Sequence, residues 1–540
     1  MHRKASLFAL LISAAAMTGL YACVGDDPSG GSTSSDGDSG GGGGGTDGMV
    51  MTDGNSPGEA SVDGGPGVDA ADAACVTATG KFLGAKTFPF VATNQSVVGT
   101  SDGGYVFVGD FRNMGTYGDA GVITGNGNTM DAVAVRFNAD GSLKWQAHFG
   151  GTGSETFQGV TVDDKNDVYV TGYFSSASFT IGSRTFTNAS GANLGIVAKL
   201  DGSNGNAVWA HPFSPGYLGF GCSAIDFDSG RLVASCSMGA TQVYEDGAST
   251  TKVLTGPGQP AEASVYGLDP ATGYVVWASA LGVSTADMNT VTYVSTIDVT
   301  PMSTVIAGEF MGGSLTEKPS NAITVAQLGT KSNGFVTELS IAAPIAPLWA
   351  KGFGDASGAG QVNRASAAGA SATGILVGGS FTGTIDFGLG PHASVGGQDG
   401  FVMMLRNKAG AAAWDKYFGG AADDTIGKVI YDRCGRGEAL MLTYSTLAAT
   451  DGVTMPAPQA GGVAGIVGKL DPKDGKLFWA SGITPGGNPD LNGINQYDFG
   501  VDLAGNTLVV GNFRGAVDFG SGTPSVAVGG SDPFVVGYGP

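Results

Sequence analysis

Six tryptophans recur at near-equal intervals, and that period restricts what this chain can fold into. They are Trp145, Trp209, Trp277, Trp349, Trp414 and Trp479, spaced 64, 68, 72, 65 and 65 residues apart. Three of them close the same phrase: Asp201, Gly205, Trp209; Asp269, Gly273, Trp277; Asp471, Gly475, Trp479. Gly141 with Trp145 and Gly410 with Trp414 keep only the Gly and the Trp. Trp349 keeps the Trp alone. A fixed period of this size is the mark of repeated units that bury their faces against one another.

One unit reads clearly from Phe157 to Phe213. Gln158 to Asp163 alternates as a strand, a D-K-N-D turn follows, and Asp167 to Phe174 returns. A longer loop leads to Gly195 to Leu200, a turn at Asp201 to Gly205, and a last strand, Ala207 to Phe213. Four antiparallel strands in about 65 residues is a propeller blade. The final unit stops at Pro540 after three strands, while Thr77 to Phe88 reads as a lone fourth strand. Its Phe88 matches Phe149, Phe213, Phe353 and Phe418, with Gly84 where the others carry Trp. The expected fold is therefore all-β: a seven-bladed β-propeller of four-stranded antiparallel blades, the last completed by the N-terminal strand. Such closure removes open sheet edges.

Three segments are expected: residues 1–22, 23–74 and 75–540. The first is M-H-R-K followed by an apolar run, Ala5 to Leu20, which describes a secretory signal too short for a stable span. The second, rich in Gly, Ser and Asp, cannot bury enough apolar surface to order and reads as a flexible tether. Ten acids and no Lys or Arg lie between Val24 and Ala74, so about half of the net charge of −21 belongs to the tether. No basic stripe is present, which argues against a nucleic-acid partner. The third segment is the propeller.

Leu20-Tyr21-Ala22-Cys23 resembles a bacterial lipobox. That resemblance implies cleavage before Cys23, its lipidation, and attachment to the cell envelope. Val24 after it, in place of Asp, implies the outer membrane. Gly159 to Gly172, G-V-T-V-D-D-K-N-D-V-Y-V-T-G, resembles the SBBP repeat of bacterial seven-bladed propellers, and Gly500 to Asn512 is similar. The Asp…Gly…Trp phrases also resemble the tryptophan-docking motif of quinoprotein-like propellers. That motif prefers Ala two residues before the Asp, where this chain has Lys199, Gly267 and Lys469. Both resemblances speak to architecture, because such folds host unrelated activities.

All six tryptophans fit one structural role, packing between blades. No histidine has a partner at metal-ligand spacing, and no nucleophile elbow or phosphate-binding loop is present. The expected catalytic and cofactor-binding sets are empty. Asp163, Asp164, Asn166 and Asp167, or Asp423 and Asp424, could offer oxygens to Ca²⁺. Turn chemistry explains the same residues. Beyond Cys23, the four cysteines are Cys75, Cys222, Cys236 and Cys434, an even number that favours disulfides in an exported chain. A three-residue turn at Asp228-Ser229-Gly230 would place Cys222 opposite Cys236. Cys75 and Cys434 fall near turns on one rim of neighbouring blades. Buried free thiols are the alternative for either pair.

These readings add up to a monomeric, lipid-anchored envelope propeller acting as a binding or scaffold module. A protein or glycan ligand is expected on the rim that carries the long second-to-third-strand loops, because variable loops usually carry binding. A quinoprotein-like enzyme and an outer-membrane assembly factor are the alternatives.

Overall fold

A computed structural model describes residues 79–540, apart from 91, 119–120, 215–220, 248–250, 258–260, 284–289, 342–345, 358–359, 372–373, 433, 459–462, 486–497, 503 and 529–530. The signal and tether expected from the sequence, with Cys23 and Cys75, lie outside these residues. The described elements are all strands, and most of them form seven antiparallel blades of four. The inner strands are Ala92–Gly99, Glu155–Val162, Cys222–Asp228, Val291–Val299, Gln361–Ser371, Asp424–Tyr431 and Asp498–Val501. The outer strands of blades 1 to 6 are Leu143–Phe149, Ala207–Phe213, Val275–Val283, Pro347–Phe353, Ala412–Phe418 and Leu477–Pro485.

The seventh blade closes the ring as the sequence implies. Phe82–Thr87 pairs with Asp532–Tyr538, placing Phe82 opposite Tyr538 and Thr87 opposite Phe534. The chain then turns through Phe88 and Phe90 into blade 1. Both rings are buried there, with Phe88 4.9 Å and Phe90 4.8 Å from Tyr117. Each blade is apolar on both faces because it is sandwiched between two others. The second and third strands therefore read as near-continuous buried runs, such as Tyr105–Phe111 and Asp399–Leu405.

The segments between second and third strands are not plain loops. Those of blades 1 to 5 and blade 7 contain a small hairpin, such as Ser178–Ile181 with Arg184–Thr187. The alternation S-F-T-I buries Phe179 and Ile181 and exposes Ser178 and Thr180, so the hairpin is driven by one apolar face. Two hairpins extend the preceding blade: Leu315–Lys318 pairs with Val275–Val283, and Ala516–Asp518 pairs with Leu477–Pro485. They cover edges that would otherwise offer unpaired backbone groups.

Candidate functional site

The tryptophans sit on outer strands, and five of them pack under a glycine of the next blade. A Cβ on Gly205 would stand 2.7 Å from the Trp145 ring, one on Gly273 2.4 Å from Trp209, and one on Gly475 2.7 Å from Trp414. Gly410 meets Trp349 and Gly80 meets Trp479 in the same way. Gly205, Gly273 and Gly475 have φ near +75°, so the turn needs glycine for its backbone as well as for the ring. The indole N–H groups of Trp145, Trp209 and Trp414 donate to the carbonyls of Gly202, Pro270 and Pro472 at 2.9, 3.2 and 2.8 Å. Trp277 differs. It is half-buried and lines an apolar cleft of about 400 Å³ with Leu281, Ile306 and Pro347.

Most of the oxygens considered for calcium are used by the protein itself. Asp163 accepts the N–H groups of Lys165 and Asp167 and the hydroxyl of Tyr169 at 3.0, 2.9 and 3.0 Å. The Lys199 ammonium lies 3.2 Å from Asp163 and 2.9 Å from Asp167, so a cation already occupies this turn. Asn166 supplies the positive φ, at 64°. Asp423 accepts Gln398 N–H, and Asp424 accepts Gly420 N–H and the Thr443 hydroxyl. Among the described residues no group of three or more His, Cys, Asp or Glu is placed to hold a metal ion.

Cys222 and Cys236 are joined by a disulfide. The local geometry differs from the sequence expectation. The turn has two residues, with Asp228 opposite Arg231, and a bulge between Cys222 and Ala224 restores Cys222 to its place opposite Cys236. Non-reducing peptide mapping should recover one peptide linking the two, and two free thiols would contradict the fold of blade 3. Cys434 is also disulfide-bonded and lies in the turn after the inner strand of blade 6.

Two clusters were not singled out in the sequence. His211 Nδ1 lies 2.5 Å from Glu245, its Nε2 lies 2.8 Å from the Thr272 carbonyl, and Arg184 grips Glu245 at 2.9 and 2.8 Å. Arg184 and Glu245 come from the hairpins of adjacent blades, so the cluster ties blade 2 to blade 3. The Arg184 guanidinium, against the opposing effect of burial, holds the Glu245 carboxyl below its ordinary range. The other cluster lies in the central cavity, about 750 Å³, lined by inner strands of six blades. There Lys428 lies 2.6 Å from Asp498, which also accepts the Ser96 hydroxyl at 2.6 Å. Asp226 accepts Thr161 Oγ1–H at 3.2 Å and Val299 N–H at 2.7 Å. Burial pushes its carboxyl up, with Asp228 adding to the rise. These acids bind neighbouring inner strands together. Their signal in the sequence was a charge within an otherwise apolar inner strand.

Fold and site together define a closed seven-bladed β-propeller with tryptophan-docked blades. No family model matches the chain, and no curated protein matches it. Among solved structures it is similar to the quinohemoprotein alcohol dehydrogenase of Comamonas testosteroni, at 12% identity over 82% of this chain and 75% of that one, TM-score 0.35. It is also similar to quinohemoprotein alcohol dehydrogenase ADHIIG of Pseudomonas putida HK5, at 12% identity over 84% and 75%, TM-score 0.30. The NanB sialidase of Streptococcus pneumoniae shows 11% identity over 85% and 69%, TM-score 0.31.

Proposed function

We propose that this protein is a lipid-anchored binding or scaffold module of the bacterial envelope, with its ligand site on the rim that carries the long second-to-third-strand segments. The observation that carries this reading is where the chain joins the ring. Thr79 N–H donates to the Pro540 carbonyl, and Gly539 N–H donates to Lys81 O at 2.7 Å. Both contacts lie at the end of a third strand, on the face of the tight turns. The second-to-third-strand segments and the blade-to-blade links lie on the other rim of the ring, away from these contacts. The SBBP-like repeats and the lipobox-like Cys23 support the same address.

A random-coil span of roughly 40 Å for the tether would hold the ring clear of the headgroups. Acylation at Cys23 would supply about 0.8 kcal/mol per buried CH₂, enough for stable attachment with several chains. Cys23→Ser is expected to move the protein into the soluble exported fraction; retention in the membrane fraction would refute the anchor. Cross-linking and pull-down from detergent-solubilised envelopes tests the binding role. A partner whose contacts map to the turn face instead of the loop-bearing rim would overturn the placement of the site.

A further inference from the structure

A buried Asn or Asp opens the third strand of several blades, and in three of them, with Asn333 in blade 4, Asp131 in blade 1 and Asp399 in blade 5, a glycine after the outer strand closes the niche over it. All three residues are at most 3% exposed. Each is sealed by the glycine that follows its outer strand. A Cβ on Gly354, Gly150 or Gly419 would stand 2.4, 2.3 or 2.1 Å from the corresponding side chain.

Asn333 shows what this niche requires. Its Oδ1 accepts Leu328 N–H at 2.7 Å, and its Nδ2 donates to the carbonyls of Leu328 and Lys331, both at 2.9 Å. One side of the niche is thus a donor and the other side is acceptors. The two aspartates match the first half. Asp131 Oδ2 accepts Asn126 N–H and Asp399 Oδ2 accepts Val395 N–H, each at 3.0 Å. Their second oxygens, Oδ1 in both cases, are buried and accept no hydrogen bond. An ionised oxygen left so would cost its full desolvation.

We propose that Asp131 and Asp399 stand in this fold as neutral carboxylic acids, each O–H doing for its loop what the Asn333 amide does in blade 4. Protonated, each carboxyl has one acceptor oxygen and one donor, the same pattern as the amide. The groups facing them support this. Burial pushes the Asp399 carboxyl up, opposed by Val395 N–H, and Asp424 on the inner strand of blade 6 raises it further. Burial pushes Asp131 up as well, opposed by Asn126 N–H and by His148 on the outer strand. Glu155 of blade 2 and Asp423 of the blade 5 to 6 link add negative charge nearby, and each is already bonded to N–H donors.

The sign follows from linkage. A carboxyl raised in the folded state contributes stability that is present below its unfolded value and is lost as pH rises through its folded value. The second-to-third-strand segments of blades 1 and 5 therefore loosen as pH rises, while that of blade 4, held by an amide, does not. This makes one rim of the ring pH-responsive, and it stands independently of any ligand.

The test uses the full chain and the variants D131N and D399N. Protection of the Asn126 and Val395 amides from exchange, corrected for intrinsic rate, should fall in the native protein by up to about tenfold per pH unit once the acids titrate. In the variants it should stay flat with pH and equal or exceed the native value above neutrality. Infrared difference spectra at neutral pH should show a protonated-carboxyl C=O stretch that each variant removes, a readout that does not depend on stability. Absence of that band, protection that is lower in the variants than in the native chain at high pH, or protection that calcium raises in the native chain and not in the variants would overturn the proposal. The last outcome would mean a cation, not a proton, fills the niche.

Discussion

A chain that starts at Val91 is expected to melt far below one that lacks only Val24 to Ala71, and to oligomerise where the other stays monomeric. The first deletion removes the strand Phe82–Thr87, whose five register pairs with Phe534 to Tyr538 complete blade 7. Backbone hydrogen bonds in that row contribute about 1 kcal/mol net each. It also removes Phe88, which is 2% exposed and packs within 6.1 Å of Phe107, Tyr117 and Phe137. Burying such a ring contributes up to about 3 kcal/mol. Gly80 goes as well, uncovering Trp479 and leaving the Ser481 hydroxyl without the Gly80 carbonyl it now bonds at 2.5 Å. Against a typical total of roughly 5–15 kcal/mol, these losses are severe. The bared edge of Asp532–Tyr538 is a template for another chain. Thermal unfolding and light scattering on the two deletions decide the matter. If both behave alike, the ring does not depend on this strand.

That prediction could be written because the closing strand is legible in the sequence. Phe88 repeats the Phe that ends other outer strands, and Pro540 stops one strand short. The Trp period, the blade count and most strand bounds come from the same regularity. The second-to-third-strand hairpins do not, because each of their strands is only two to five residues long, as in Met114–Gly115 or Thr241–Glu245. Two residues cannot display an alternation. The cysteine register is another instructive case. A three-residue turn gives the right pair, yet the chain reaches it through a two-residue turn and a bulge. Bulges insert a residue without a sequence marker strong enough to place them. The niche of Asp131, Asn333 and Asp399 was equally unreadable, since Asp and Asn at a strand start look like ordinary turn residues.

The departure from Ala in the docking motif, at Lys199 and Lys469, proves to be structural. Both lysines sit on third strands and pair with acids of their blade's first-to-second-strand turn, Asp163 and Asp167 in blade 2 and Asp432 in blade 6. In blade 2 the pairing is partly exposed, with Lys199 12% and Asp167 28% exposed. In blade 6 it is fully buried.

Replacing Lys469 by Met is therefore expected to be among the most damaging single changes in the propeller. Lys469 Nζ lies 2.8 Å from Glu438 and 3.1 Å from Asp432, and all three side chains are sealed from solvent. Arg436 reaches Asp432 at 2.6 Å, and the Thr507 hydroxyl donates to Glu438 at 2.7 Å. Met fills the volume but carries no charge, so two carboxylates remain with one guanidinium between them. Removing one partner of a buried ion pair costs about 3–5 kcal/mol, because the survivor is left uncompensated. Burial pushes the Glu438 carboxyl up even with Lys469 opposing it. Without the lysine the rise is larger, so folding of the variant should take up a proton there. Its stability should then be greatest at low pH and fall as pH rises through the folded value. Adding Glu438→Gln to Lys469→Met should restore much of the loss at neutral pH and flatten that dependence. The exposed pair of Lys476 with Asp474, 68% and 47% exposed, is the comparison. Lys476→Met should leave the unfolding midpoint where it is, since solvent screens such pairs. Urea unfolding of the three variants at two pH values reads all of this. A Lys469→Met protein as stable as the native one at neutral pH would mean that the buried carboxyls are already neutral and that the lysine does not hold them.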